Sequence, residues 1–192
     1  MIIEYQNLSD ENLIIKNPEY KQMEIGRYGY KFIKVHAGFD IETTNKLVGE
    51  NKLAFMWVWQ FSFNDLVIIG RHWNEFNELL RRICILNHLN SKTRMIIWIA
   101  NMSFEFQFMR KWVNVTKIFA RTTRKPLQAV VMNCFEFRDA LAITGGSLEM
   151  LANDYTKTKK LVGDLDYSVE RNDEYPIMER PKELQYCIND VV

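Results

Sequence analysis

The chain has 192 residues, 47% of them hydrophobic and 26% charged, the proportions of a globular domain with room for one sizeable core. A net charge of +1 excludes a global attraction to polyanions, so any contact with nucleic acid must come from local clusters such as residues 121–125 and 157–160. Three cysteines in no C-x-x-C pair, without a signal-peptide pattern, argue against a disulfide or zinc framework and for a reducing, cytoplasmic setting in which Cys84, Cys134 and Cys187 are small core residues. No apolar run reaches membrane-spanning length, so no membrane partner is expected.

Residues 1–35 mix short β-prone runs with polar turns and read as an extension ahead of the first long strand, which is expected over 35–43. Residues 54–63 are rich in aromatic and β-branched side chains, and 66–69 follow the turn signal Asn64-Asp65, so the three segments predict a meander. From Trp73 the apolar positions 76, 79, 80, 83 and 86 recur at helical spacing, predicting an amphipathic helix over 73–89. A strand over 95–100 and a helix over 103–112, with Ser103 as its N-cap, come next. Further strands are expected over 115–120, 127–132 and 134–138, and a short helix over 148–154. Residues 156–180 read as loop, and Pro181 opens a last helix that runs to the end. This order fits an α/β domain whose sheet mixes parallel and antiparallel pairs, with helices on its faces.

Three acidic clusters stand out. Asp40 and Glu42 are two apart on a strand, so both carboxylates leave the same face. Glu105 falls in the first turn of the helix that follows Asn101. Tyr186 and Asp190 are four apart on the last helix and share a face. Each feature alone has an ordinary explanation: a strand end at the solvent rim, an acid complementing a helix dipole, a core aromatic above a surface acid. Together they would converge four carboxylates and a phenol on one pocket, enough to repay the desolvation of two divalent cations.

The conjunction of D-x-E, N-x-x-F-E and Y-x-x-x-D, in that order, resembles the three exonuclease motifs of the DEDD superfamily in its tyrosine-bearing subtype. The surrounding text, residues 39–44, 101–105, 163–167 and 186–190, is similar to the 3′–5′ exonuclease domain of protein-primed, phage-type family B DNA polymerases. The resemblance covers residue 36 to the end, giving an N-terminal extension over 1–35 and an exonuclease domain over 36–192 that stops just after the third motif. It implies a ribonuclease H-like fold and a proofreading exonuclease that removes nucleotides from single-stranded DNA 3′ ends with two Mg²⁺ or Mn²⁺ ions. Carried onto this chain, Asp40, Glu42, Glu105 and Asp190 would hold the metals and Tyr186 would orient the attacking water. Thr43, Asn101 and Phe104 match positions that grip the 3′ end. A covalently attached polymerase domain and the cytoplasm of a phage-infected bacterium are implied in the same way, and the end of the chain at a helix is expected to be a truncation.

Three positions depart from the family pattern. Glu105 stands where aspartate is usual, and the extra methylene is expected to be tolerated at an outer ligand. Val162 stands in place of a phosphate-binding lysine, for which Lys160 or Lys159 would substitute. Ala140 follows Phe137-Arg138-Asp139 where a DNA-binding serine or threonine is expected, with Ser147 as stand-in. Asp139 is a rival metal ligand to Glu105, and Asp164 and Asp166 shape the loop presenting Tyr167. His36, His72 and His88 have no metal-site spacing, and Trp57, Trp59, Trp98 and Trp112 are expected in the core. Two other functions remain open: a catalytically weak module of the same fold that binds single-stranded nucleic acid, and an RNA 3′ exonuclease.

Overall fold

The computed structural model describes residues 1–25, 28–155, 161, 165–166 and 169–191. Its strands are β1 (Ile2–Glu4), β2 (Tyr20–Ile25), β3 (Tyr28–Ile33), β4 (Ala37–Val48), β5 (Asn51–Phe63), β6 (Leu66–Gly70), β7 (Thr93–Ile99), β8 (Val115–Thr122), β9 (Lys125–Val131) and β10 (Phe135–Asp139). The helices are α1 (Trp73–Leu86), α2 (Met102–Met109), α3 (Ala140–Thr144), α4 (Leu148–Tyr155) and α5 (Pro181–Asn189). The main sheet runs β1-β6-β5-β4-β7-β10-β9-β8, with the β2–β3 hairpin joined to β7 through β3. Parallel pairs (β1–β6, β4–β7, β7–β10) alternate with antiparallel hairpins, so the mixed α/β architecture expected from the element order is present.

Each face of the central strands packs an apolar core, and the face opposite Phe39 and Ile41 also carries Asp40 and Glu42. One face carries the larger core, in which Phe39, Ile41, Trp59, Phe61, Ile97 and Phe137 meet Phe76, Leu79, Leu80 and Ile83 of α1. That is the apolar stripe of the helical spacing, and each such side chain contributes about 1.5–3 kcal/mol of burial free energy. Glu75 starts α1 by accepting the backbone N–H groups of Arg71 and His72 at 2.7 and 2.9 Å. The other face carries a second core of Trp57, Val58, Val67, Ile69, Leu165, Ile177, Cys187, Ile188 and Val191, under α5.

Several expectations change. Residues 1–35 are built into the domain: β1 is an edge strand of the main sheet, Leu13 is fully buried, and Asn87 at the end of α1 accepts the N–H of Ile15 and donates to the carbonyl of Leu13, both at 2.8 Å. Helix α2 begins at Met102, with Asn101 at the cap position, so Ser103 lies inside the first turn rather than before it. The unanticipated α3 is capped by Asp139, whose Oδ1 accepts the N–H of Ala142 at 2.8 Å. Pro181 does open α5, but the helix ends at Asn189, leaving Asp190 at the C-cap in right-handed helical geometry. Trp57 and Trp59 are buried, whereas Trp98 on β7 and Trp112 in the turn after α2 are 39% and 57% exposed. Cys134 and Cys187 are buried, and the Cys134 thiol lies 3.3 Å from that of Cys84, a pairing invisible to a search for close spacing. Among the described residues no helix is long and apolar enough to cross a membrane.

Candidate functional site

The acids gather at one end of the sheet. Gly38 of β4 pairs with Trp98, and Asp139 at the end of β10 pairs with Ile99, so Asp40 lies close to the level where β7 and β10 stop. Two hairpins continue past that level. The β4–β5 hairpin runs on to Val48 and Asn51. In the β8–β9 hairpin Gln128 pairs with Arg138, so Lys125 lies three residues, about 10 Å, further out. β4 and β9 are three strand positions apart in the sheet, about 14 Å, and the acids sit at the floor between the two projecting hairpins.

Alternation along β4 turns Phe39 and Ile41 into the larger core and Asp40 and Glu42 toward α5. The register slips between Glu42 and Thr43, leaving Trp57 as the extra residue on β5. Such a bulge twists the strand where its character changes from buried to projecting. Helix α5 brings Asp190 from the other end of the chain. Gly38 makes this approach feasible: a Cβ there would lie 2.9 Å from the carbonyl oxygen of Val191 and 2.9 Å from Ser62 Oγ. Asp40, Glu42 and Asp190 each offer one carboxylate oxygen, and the three oxygens lie within 4.8 Å of one another. Asp40 and Glu42 are 9% and 6% exposed, so water screens their repulsion weakly.

Glu105 completes the cluster from the first turn of α2 and is 4% exposed. Burial and the neighbouring Asp40 charge push its carboxyl up to about 9, helped by a hydrogen bond to Asp40 and by the charge of Asp139. Its Oε2 is buried and has no hydrogen-bond partner among the described residues. Burial also raises the Cys187 thiol, together with the charges of Glu42, Asp40 and Asp190, which puts that thiol beside the acids. Carboxylates this close are stable only when one keeps its proton or a cation neutralises them.

Tyr186 is half-buried against the second core, one turn before Asp190. Thr43 is half-buried at the bulge, Asn101 is exposed at the cap of α2, and Phe104 is 42% exposed with its ring 5.1 Å from that of Phe108. Lys160, Lys159, Val162, Asp164 and Tyr167 lie outside the described residues. Ala140 opens α3, and the hydroxyl of Ser147 is engaged in accepting the N–H of Met150 at 3.1 Å. Asp166 contributes its carbonyl, as an acceptor for Arg171 at 2.7 Å. A groove of about 720 Å³ opens beyond Glu42 along the same strand, between Thr44, Lys46, Phe55, Trp73 and Trp112.

The residues that hold α5 in place belong to none of the three acidic motifs. Arg171 is 3% exposed and reaches Glu183 of α5 while its backbone N–H donates to Thr44 Oγ1 at 3.2 Å. An arginine in a polar loop has no periodic or motif signal. Only its burial under the ring of Trp57, 5.5 Å from the guanidinium, reveals it. No protein-family model, curated protein or solved structure matches the chain.

Proposed function

We propose that this chain is a divalent-cation-dependent 3′–5′ exonuclease of ribonuclease H-like fold, acting on single-stranded DNA ends in the service of an attached polymerase. One observation carries the reading: Asp40, Glu42 and Asp190, up to 150 residues apart, bring oxygens within 4.8 Å of one another. The donor set suits Mg²⁺ or Mn²⁺, because it is all oxygen, and the buried Oε2 of Glu105, without a partner among the described residues, is free to accept from a donor or to meet a cation. Asp40, Glu42 and Asp190 would hold the ions, with Glu105 supporting them beside Asp40. Bound there, the ions supply Lewis-acid stabilisation of the phosphodiester and acidify water.

The chain's own residues do the remaining work. Asp40 and Glu42 are held by cross-strand pairing with Gln60 and Val58 of β5, on a strand that also pairs with β7 at Gly38, so their carboxylates are preorganised. The phenol of Tyr186, held against the second core one turn from Asp190, orients the attacking water by a hydrogen bond. Asn101 caps the helix that carries Glu105, and the exposed ring of Phe104, the residue before Glu105, would offer an apolar face to a terminal base or sugar.

The test is digestion of a 5′-labelled single-stranded DNA by the purified chain in Mg²⁺, Mn²⁺ and chelator, beside Asp40→Ala/Glu42→Ala. A ladder shortening from the 3′ end, dependent on metal and lost in the variant, is the expected result. Retained cleavage in the variant would remove the proposal. Binding without turnover would replace it with a binding module, and faster digestion of an RNA oligonucleotide would reassign the substrate.

A further inference from the structure

Between Glu105 and Glu136 the chain carries Arg110, Lys111, Lys117, Arg121, Arg124 and Lys125 and not one acid, in a protein whose net charge is only +1. All six cations are exposed, and among the described residues none is paired with a carboxylate. Four of them lie on the β8–β9 hairpin, whose outer strand is exposed from residue 116 to 122. Phe119 and Ile118 on the same strand are 64% and 56% exposed. The inner side of the hairpin borders a groove of about 580 Å³ that contains Lys117, Phe119, Tyr30 and Arg138.

Charges on an edge strand, lysine above all, prevent edge-to-edge pairing, but that role needs neither the exposed ring of Phe119 nor a cation such as Arg124 in the turn. Strict use of one sign calls for a partner of the other. One exposed ring, Phe119, set among exposed cations matches what a flexible single strand needs: a π-face for a base and charge for phosphates. The hairpin tip projects from the sheet end that bears the acids, so a strand entering the cluster would pass along it.

We infer that the β8–β9 hairpin is a binding surface for single-stranded nucleic acid, separate from the acidic cluster, with phosphates on Lys117, Arg121, Arg124 and Lys125 and a base on Phe119. The inference concerns binding and goes beyond the proposed exonuclease activity, which it does not require.

The experiment is fluorescence anisotropy of a labelled 25-nucleotide DNA with the full chain in chelator, across a KCl series. The variants are Lys117→Gln/Arg121→Gln/Arg124→Gln/Lys125→Gln and Phe119→Ala, all at exposed positions. Circular dichroism confirms that each is folded. The fourfold variant is expected to lose at least tenfold in affinity at low salt, and its slope of log K against log salt to flatten by about three. Phe119→Ala is expected to weaken binding about tenfold with the slope unchanged. Affinity within twofold of wild type in the fourfold variant, or an unchanged slope, overturns the inference. Tighter binding to phosphatidylserine vesicles than to DNA overturns it in favour of a lipid surface. Because every arm runs without metal, failure here leaves the exonuclease assay to be judged alone. A dead nuclease that still binds through the hairpin separates the two ideas in the other direction.

Discussion

Arg171 clasps Glu183 through Nε and Nη2 at 3.2 and 3.1 Å. Its Nη1 donates to the carbonyls of Asp166 and Val169 at 2.7 and 3.2 Å, and the Tyr175 hydroxyl donates to both Glu183 oxygens at 3.0 Å. With the backbone bond to Thr44, this one residue ties α5 to β4, the two elements that carry Asp190 and the D-x-E pair. The site is thus assembled by a polar clasp that itself contains none of the acids expected to bind metal.

Breaking the clasp on one side leaves a desolvated charge without its partner. Arg171→Met is expected to cost about 3–5 kcal/mol in urea unfolding. Arg171→Met/Glu183→Leu should recover part of that loss, since no orphaned charge remains. A single variant within about 1 kcal/mol of wild type would show that the clasp does not hold α5.

Gly38 tests the same junction sterically. An alanine Cβ would meet the Val191 carbonyl and Ser62 Oγ at 2.9 Å, and backbone cannot retreat as a side-chain tip can. Gly38→Ala is expected to cost about 1–3 kcal/mol and to push the end of α5 away from β4. The same displacement would move Asp190 and lower metal-dependent activity at least tenfold, while Gly29→Ala, which meets nothing within 4 Å, leaves both unchanged. Thermal unfolding with activity on a single-stranded substrate reads both outcomes.

Much of this was legible in the sequence, and the reasons differ by element. The stripe over Phe76, Leu79, Leu80 and Ile83 announced α1 because one helix face meets one core. The D-x-E pair declared its shared face because a strand has period two. Neither rule reaches across the chain. That α5 returns to β4 depends on Gly38, Arg171 and Glu183, whose roles exist only once distant segments touch. Trp112 read as core from its aromatic character, yet it is 57% exposed in the turn after α2, a position that no periodic pattern specifies. Residues 1–35 looked like an appendage because β1 is three residues long, too short for any periodic signal, although its pairing with β6 completes the sheet.

Metal binding should appear as stabilisation. Mg²⁺ or Mn²⁺ at about a hundred times its dissociation constant would add about 2.7 kcal/mol to the folded state. Asp190→Asn is expected to abolish that response and, by relieving repulsion among the clustered carboxylates, to raise Tm slightly in chelator. A Tm rise with metal of equal size in wild type and variant would place the binding elsewhere.

The metal-free protein should be sensitive to pH through Glu105. Its carboxyl, held up to about 9 by burial and the Asp40 charge, has an ordinary value of 4.5. Between those values the folded chain holds a proton that the unfolded chain has released. Stability therefore falls as pH rises through the window, by up to about 1.4 kcal/mol per pH unit from this group. The buried thiols of Cys134 and Cys187 do not share the window, since their ordinary value is 9.0 and burial raises them further. Glu105→Gln keeps the shape and cannot ionise, so it should flatten the decline and be more stable than wild type at pH 8 in chelator, yet equal to it near pH 4.5. Urea midpoints from pH 4.5 to 8.5 decide the matter. Parallel curves for the two proteins would mean that Glu105 is already ionised when folded, with its charge neutralised by the protein itself.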